Sequence, residues 1–441
     1  MLSRRLIGNA LTAALGSLLF GFDTAVISGT IPFITKYFGL TDTMLGWTVS
    51  AALIGCMVGA LTVGKPGDIY GRRYMLKLMA ILFFVSAMGT GLAHDWVTFL
   101  VFRVIGGLAI GGASVLAPMY ISEISPARIR GRLVSMSQLA IVSGILLAFF
   151  SNYLLSRTGD NNWRWMMMAG AVPAVALYIL LFFVEQSPRW LVMKGKTGPA
   201  AEVIRRLNPV ADTGKEISDI ANSIDQEALY KSIFLFRKPY LRLVLIGIAV
   251  GMFNQLTGIN VIMYYAPTIF RSAGFTAESA LFQTVLIGAT NQVFTVIAMS
   301  VIDRVGRKFL LLLGSVLMSV FLLLFSIFYL SGFQQSYVLL ICLLGFIGSF
   351  AASQGVVIWV LLSEMFPNTI RARASSIGSF SHWFFNAVIG FLFPVISGMI
   401  GTGKVFLFFT AGTLISFFFF RKFLMETKGK TLEEVGRTAL E

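Results

Sequence analysis

Cysteine is almost missing from this chain: its 441 residues include two, Cys56 and Cys342, each inside an apolar run. A disulfide framework and a cysteine-rich zinc cluster are therefore excluded. Histidine is as scarce, with His94 and His382 alone, which disfavours the competing reading of a membrane enzyme with its nucleophile, base or metal set. No catalytic residue, metal or cofactor is expected. Charge is thin as well, at 12% of the chain, about half the share of an ordinary soluble domain. No Asn-x-Ser/Thr acceptor occurs, which fits a bacterial membrane.

Apolar residues are abundant instead: 56% of the chain is hydrophobic and 40 residues are Phe, with a mean hydropathy of +0.81. The polar surface that soluble domains of this total length need cannot be built, which excludes a secreted enzyme, a disordered scaffold and a nucleic-acid binder. The formal net charge of +15 is then read as loop charge facing anionic lipid.

Runs of about 20 residues, long enough for a hydrocarbon core of ~30 Å, recur twelve times. Their limits are 6–31, 45–64, 75–93, 97–121, 133–156, 164–184, 241–270, 278–302, 309–331, 336–362, 374–400 and 404–421. The first follows Arg4 and Arg5 but is too long for a signal peptide and has no small-residue cleavage site, so it is kept as a span. An N-terminus in the cytoplasm places 29 of the 35 Lys and Arg on that side, leaving Lys36, Arg157, Arg164, Arg271 and Lys404 opposite and Arg103 inside a span. That asymmetry puts both termini in the cytoplasm.

The one long polar stretch, 185–240, carries helical patterns near 200–207 and 216–229 and divides the spans six and six. The halves repeat. Asp68, Gly71, Arg72 and Arg73 return as Asp303, Gly306, Arg307 and Lys308 at an offset of 235, and Glu123, Pro126, Arg130 and Arg132 return as Glu364, Pro367, Arg371 and Arg373 at 241. Two motifs repeated at nearly one offset make coincidence unlikely and point to two duplicated halves.

Gly21-Phe-Asp23-Thr-Ala25, Arg128-Ile-Arg130-Gly-Arg132, Ser187-Pro-Arg189-Trp-Leu191, Gln255-Leu-Thr-Gly-Ile-Asn260 and Glu426-Thr-Lys-Gly429, taken with the repeats, resemble the sugar porter family of the major facilitator superfamily. Within it the likeness is to bacterial proton-coupled xylose and hexose symporters, and it covers essentially the whole chain. The chain departs from the family pattern at Ile69, Gln186, Met425, Asn254, Val356 and His382, with Glu185 as a substitute acid beside Gln186. The resemblance implies an all-α membrane protein of twelve transmembrane helices in two six-helix bundles, the major facilitator fold. The N-terminal bundle covers 1–184, a cytoplasmic linker with short helices 185–240, the C-terminal bundle 241–422 and a cytoplasmic tail 423–441.

Asp23 and Arg103 are the charged residues lying well inside spans. Counting 1.5 Å per residue from Pro32 and Trp96 places both about 10 to 14 Å below the outer surface, where they can pair. Such a pair can merely fix the packing of two helices, or it can be a proton site whose protonation loosens the bridge and biases one conformation. The resemblance implies the second, since an acid here accompanies proton symport.

Buried neutral amides are the other unusual feature. Gln138, Asn254, Gln255, Asn260, Asn291 and Asn386 lie within apolar spans, where an unsatisfied polar group is costly, so they face a cavity or one another. An amide both donates and accepts, which suits sugar hydroxyls, and Trp359 and Trp383 offer flat faces for the C–H side of a ring. Interhelical hydrogen bonding is the competing use. An anionic substrate would call for Arg or Lys in the cavity and a cationic one for acids, so a neutral polyhydroxyl compound fits best. The resemblance makes Gln138, Gln255, Asn260, Asn291 and Trp359 sugar ligands and Asn254, Trp383 and Asn386 further candidates. His382 stays open between a ligand, a titrating group and a packed neutral ring. Tyr264 and Tyr265, one turn after Asn260 and close behind Gly258, form an outer gate in the family analogy, with Tyr264 also near the sugar.

Asp68, Arg72, Arg73, Glu123, Arg130 and Arg132, with their repeats Asp303, Arg307, Glu364, Arg371 and Arg373, fall where spans meet cytoplasm. Their duplication points to a network that latches the cytoplasmic side. The expected function is proton-coupled import of a neutral monosaccharide, pentose or hexose, by alternating access in the bacterial inner membrane. The expected partners are sugar, proton and lipid, with the chain a monomer. A passive facilitator and a polyol symporter are the alternatives. A nontransporting sugar sensor is disfavoured by the short tail.

Overall fold

The computed structural model describes residues 3–441 apart from 127, 210–211, 230–234, 237, 239, 333–335, 368, 429–433 and 435–441, so Gly429 and most of the tail segment lie outside the described residues. The first half runs α1 (Arg4–Phe38), α2 (Asp42–Thr62), α3 (Gly64–Tyr70), α4 (Arg72–Leu92), α5 (Trp96–Ile124), α6 (Arg130–Leu155), α7 (Asn162–Met168) and α8 (Ala171–Leu180). Three short helices follow, α9 (Pro188–Met193), α10 (Thr197–Leu207) and α11 (Thr213–Leu229). The second half comprises α12 (Tyr240–Leu256), α13 (Ile259–Ser272), α14 (Ala277–Val305), α15 (Arg307–Leu330), α16 (Ser336–Ala351), α17 (Gln354–Glu364), α18 (Arg371–Ile400) and α19 (Thr402–Phe423). Twelve helical segments are long and apolar enough to cross a membrane, and no strand occurs among the described residues.

Three spans are broken where the apolar runs read as continuous. The sixth parts between α7 and α8, the seventh between α12 and α13, and the tenth between α16 and α17. Gly258 causes the second break: its φ of 80° is open to glycine and strained for other residues. At the third, Ser353 takes φ −130° and ψ −96° although no proline is present. The first helix also runs past the expected end at residue 31 to Phe38, carrying Pro32 within it.

The duplicated Asp-x-x-Gly-Arg segment has duplicated geometry. Gly71 and Gly306 stand immediately before α4 and α15 with φ/ψ of 95°/151° and 103°/153°, a conformation closed to residues with a Cβ. That is why glycine appears at the same place in both repeats.

Contacts divide the chain into two compact units. The first takes Met1–Thr24, Ile54–Ala148 and Arg164–Ser232, and the second takes Ala25–Leu53, Phe149–Trp163 and Ile233–Glu441. Small residues hold the first together, as expected where lipid leaves close packing as the main attraction. A Cβ at Gly21 would stand 1.9 Å from the carbonyl oxygen of Ile141, and one at Gly144 2.0 Å from that of Leu18, so α1 and α6 touch backbone to backbone. Gly55, Gly59 and Gly111 do the same for α2 and α5.

The core of the second unit is built on Val250, Leu311, Val357, Ile358, Phe366 and Phe420, all fully buried. This unit also gathers the ends of α1, α2 and α6. Ser50 donates to the Ala387 carbonyl at 2.9 Å, Trp47 lies 5.0 Å from Phe391, and Asn152 donates to the Val26 carbonyl at 3.0 Å. Large apolar side chains such as Phe183, Val172 and Phe418 are open on the surface, which suits lipid and not water.

Candidate functional site

In the first unit α1 and α5 bring Asp23 and Arg103 together. Arg103 NH1 lies 3.2 Å from Asp23 Oδ1 and 3.4 Å from the Asp23 carbonyl oxygen. Both residues are buried, Arg103 at 1% exposure. The pairing is incomplete: Asp23 Oδ2 and Arg103 Nε are buried without a hydrogen-bond partner. A single bond between two desolvated charges is weakly compensated, so the pair is poised to change when one member becomes neutral.

The second unit concentrates the amides, and Gln255 is their hub. Its Nε2 donates to Asn254 Oδ1 at 2.9 Å and lies 3.0 Å from Nδ1 of His382 on α18, while its Oε1 accepts from Asn260 Nδ2 at 2.8 Å. The break at Gly258 makes this possible by letting Asn260, five residues on, turn back to Gln255. His382 in turn lies between two indoles, with ring centroids 4.8 Å from Trp359 at 60° and 5.3 Å from Trp383 at 89°. Tyr264 and Asn386 are within 3.2 Å of each other, and Tyr265 donates to the Gly390 carbonyl at 2.9 Å, tying α13 to α18.

Trp359 keeps 36% of its surface open. Donors, acceptors and two indoles thus converge, as a polyhydroxyl ring requires. Asn291 is buried on α14 of the same unit. Gln138 belongs to the first unit, partly exposed on α6.

Two residues that sequence reasoning passed over carry weight. Gln354, at the break in the tenth span, is fully buried with both side-chain polar atoms unpartnered. A glutamine inside an apolar run beside Gly355 was the available signal. Ser86 on α4 places its hydroxyl, like Asp23 Oδ2, within 3 Å of where a Cβ of Gly106 would stand, and no feature of its apolar surroundings in the sequence marks it.

The duplicated charges form two matching clusters. Arg72 reaches Asp68 at 2.9 Å and Glu123 at 3.0 Å, and Glu123 also accepts from the Ser187 hydroxyl. Arg307 reaches Asp303 at 2.9 Å and Glu364 at 3.1 Å, and Glu364 accepts from the Thr427 hydroxyl at 2.6 Å. Arg73 donates to the carbonyls of Leu181 and Phe182, Arg371 to that of Phe366, and Arg130 to that of Ser125. Arg132 and Arg373 are exposed.

The clusters differ in one respect. Glu426 lies over Gly306 and accepts the backbone N–H groups of Arg307 and Lys308, both at 3.0 Å, an anion at a helix N-terminus. Burial opposes its charge, but backbone donors from Lys428, Arg307, Lys308 and Thr427 outweigh it and hold the carboxyl below its usual range. The equivalent place over Gly71 holds Gln186, whose buried Oε1 has no partner.

The profile of the family described as sugar (and other) transporter matches residues 9–439. The chain is 37% identical to an arabinose-proton symporter of Bacillus subtilis, over 96% of this chain and 93% of that protein. It is 36% identical to the D-xylose-proton symporter of Escherichia coli K12, over 96% and 94%. An inward-open structure of the Escherichia coli xylose transporter XylE superposes with a TM-score of 0.87 at 34% identity, covering 98% of this chain and 99% of that one.

Proposed function

Since the chain belongs to the sugar (and other) transporter family, a family of transporters and not of enzymes, we propose that it is a proton-coupled symporter importing a neutral monosaccharide. It is a multi-pass membrane protein. The reading extends to a pentose or hexose as cargo, alternating access, a monomer in the bacterial inner membrane and both termini in the cytoplasm, where the Lys and Arg bias puts them.

One observation carries the coupling: a buried acid, Asp23, bonded through a single oxygen to a buried arginine, in a chain whose relatives are named proton symporters. An ionised Asp23 holds Arg103, and a protonated one releases it. A conformation that admits sugar and proton together is favoured differently in the two states, which is all that coupling requires. The amide hub around Gln255, with Asn254, Asn260, Asn291, Tyr264, Asn386, His382, Trp359 and Trp383, supplies the sugar contacts, and Gln138 on α6 is a further candidate ligand. The clusters on Arg72 and Arg307 serve as the cytoplasmic latch.

The test is Asp23→Asn in proteoliposomes. Uphill accumulation driven by an acid exterior is lost, while exchange of labelled for unlabelled sugar at equal pH persists. Accumulation as strong as in the parent would leave Asp23 without the assigned role, and a parent that equilibrates sugar but never concentrates it is a passive carrier.

A further inference from the structure

Asp23 carries an oxygen that the ion pair does not use. Oδ1 takes Arg103, but Oδ2 is buried without a partner. It lies against the bare Cα of Gly106 on α5, 2.9 Å from where a Cβ would stand, and the Ser86 hydroxyl of α4 lies 2.4 Å from that same point. The two oxygens therefore share the pocket that the absent side chain of Gly106 leaves open. Ser86 is 1% exposed, so water does not compete for it.

The direction of the Ser86 hydroxyl decides what it can offer. Its proton goes to the Phe102 carbonyl at 2.8 Å, which leaves lone pairs, and no donor, for a neighbour. Toward an ionised Asp23 such an oxygen is repulsive. Toward a protonated one it is a ready acceptor.

We propose that Ser86 is the positioning residue of the proton site, accepting the hydrogen bond of the acid once Asp23 is loaded. This rests on the reading of Asp23 as the coupling group. Loading transfers one proton from hydronium to Oδ2: an O–H bond of the hydronium breaks, leaving water, an O–H bond forms on the carboxyl, the carboxylate becomes neutral and no electrons change hands. The new O–H donates to Ser86 Oγ, which continues to donate to the Phe102 carbonyl. Arg103 keeps all its protons and loses its ionic partner.

The chain of two bonds stabilises the loaded form, while the empty form is held by Arg103. Charged or titratable groups facing Asp23 are Arg103 on α5 and the Cys56 thiol on α2, with none from α4, among the described residues. Gly106 is required because a Cβ there would crowd both oxygens, at 2.4 Å from Ser86 Oγ and 2.9 Å from Asp23 Oδ2.

The experiment is initial sugar uptake into proteoliposomes against external pH, with counterflow at equal pH measured in parallel. Ser86→Ala deletes the acceptor, and the external proton concentration for half-maximal uptake rises about tenfold, the worth of one hydrogen bond to a buried group, while counterflow stays at the parent rate. Ser86→Thr restores the hydroxyl and moves the profile back. Gly106→Ala keeps the hydroxyl but sets a methyl against both oxygens, forcing them to shift, and moves the profile in the same direction as Ser86→Ala.

Profiles of Ser86→Ala and Gly106→Ala that both stay within a factor of two of the parent overturn the proposal. If Asp23→Asn has meanwhile lost accumulation, the coupling role of Asp23 stands without Ser86. If Asp23→Asn still accumulates sugar, the underlying reading fails first.

Discussion

Replacing Gln255 with leucine removes the hub of the amide cluster while keeping a side chain of similar size. Asn254 Oδ1 loses its donor at 2.9 Å, Asn260 Nδ2 its acceptor at 2.8 Å, and the His382 ring its neighbour at 3.0 Å. All but Asn260 of these residues are buried, so Asn254 and His382 cannot simply turn to water. Leaving a buried donor or acceptor unpaired costs about 1 to 3 kcal/mol each. Two such losses amount to roughly 2 to 6 kcal/mol, divided between the stability of the empty protein and the binding of sugar.

If half of that falls on binding, the dissociation constant rises by roughly 5 to 150-fold, at 1.4 kcal/mol per factor of ten. Trp359 and Trp383 flank His382 and provide the assay: quenching of tryptophan emission on titration with xylose and with glucose, with thermal unfolding in detergent alongside. Gln255→Leu is expected to unfold several degrees lower and to need at least fivefold more of whichever sugar quenches the parent. Affinity within a factor of two, with unchanged unfolding, would refute the hub, because nothing in the network could then depend on Gln255.

The tail contact should respond to acid. Because the Glu426 carboxyl titrates below its ordinary value of 4.5 when docked, its contribution to docking is complete above that value and is lost as pH falls through the lower docked one. Amide protection at Arg307 and Lys308, corrected for intrinsic exchange, is expected to hold at pH 6 and collapse in the acid range. A Glu426→Gln variant should lack that step, and a step of the same size in the variant would assign it to another acid. Gly306→Ala forces a Cβ into a φ of 103° and to within 2.7 Å of the Glu426 carboxylate. It should cost about 1 to 3 kcal/mol and lower the unfolding temperature, whereas Gly8→Ala, with open space around it, should not; equal effects would remove the backbone explanation.

Much of the architecture was legible in residue order, and particular residues show why. A run such as 309–331 is free of charge and predominantly apolar, and only a membrane can solvate it over that length. Gly71 and Gly306 announced their shared turn through the repeat. The break at Gly258 lay inside a run read as continuous, because a glycine permits a φ of 80° without requiring it. The break before Gln354 carried no comparable sign, because no proline precedes or follows it; its deviant Ser353 packs against the bare Cα of Gly314, a contact between distant residues. The end of α1 was misplaced by seven residues because Pro32, which often ends a helix, is carried inside this one.

The chain's sequence by itself determined that it spans a membrane twelve times in two related halves, and which buried polar residues need an explanation. Hydrophobicity is additive and local, so both are readable along the chain without knowing where it turns. Only the tertiary structure decided which atom meets which: that Asp23 uses one oxygen on Arg103, eighty residues away, and leaves the other beside Ser86, and that Gln255 joins Asn254, Asn260 and His382. Hydrogen bonds act over about 3 Å and in fixed directions, and no spacing in the sequence encodes such distances between residues as far apart as Asp23 and Arg103 or Gln255 and His382.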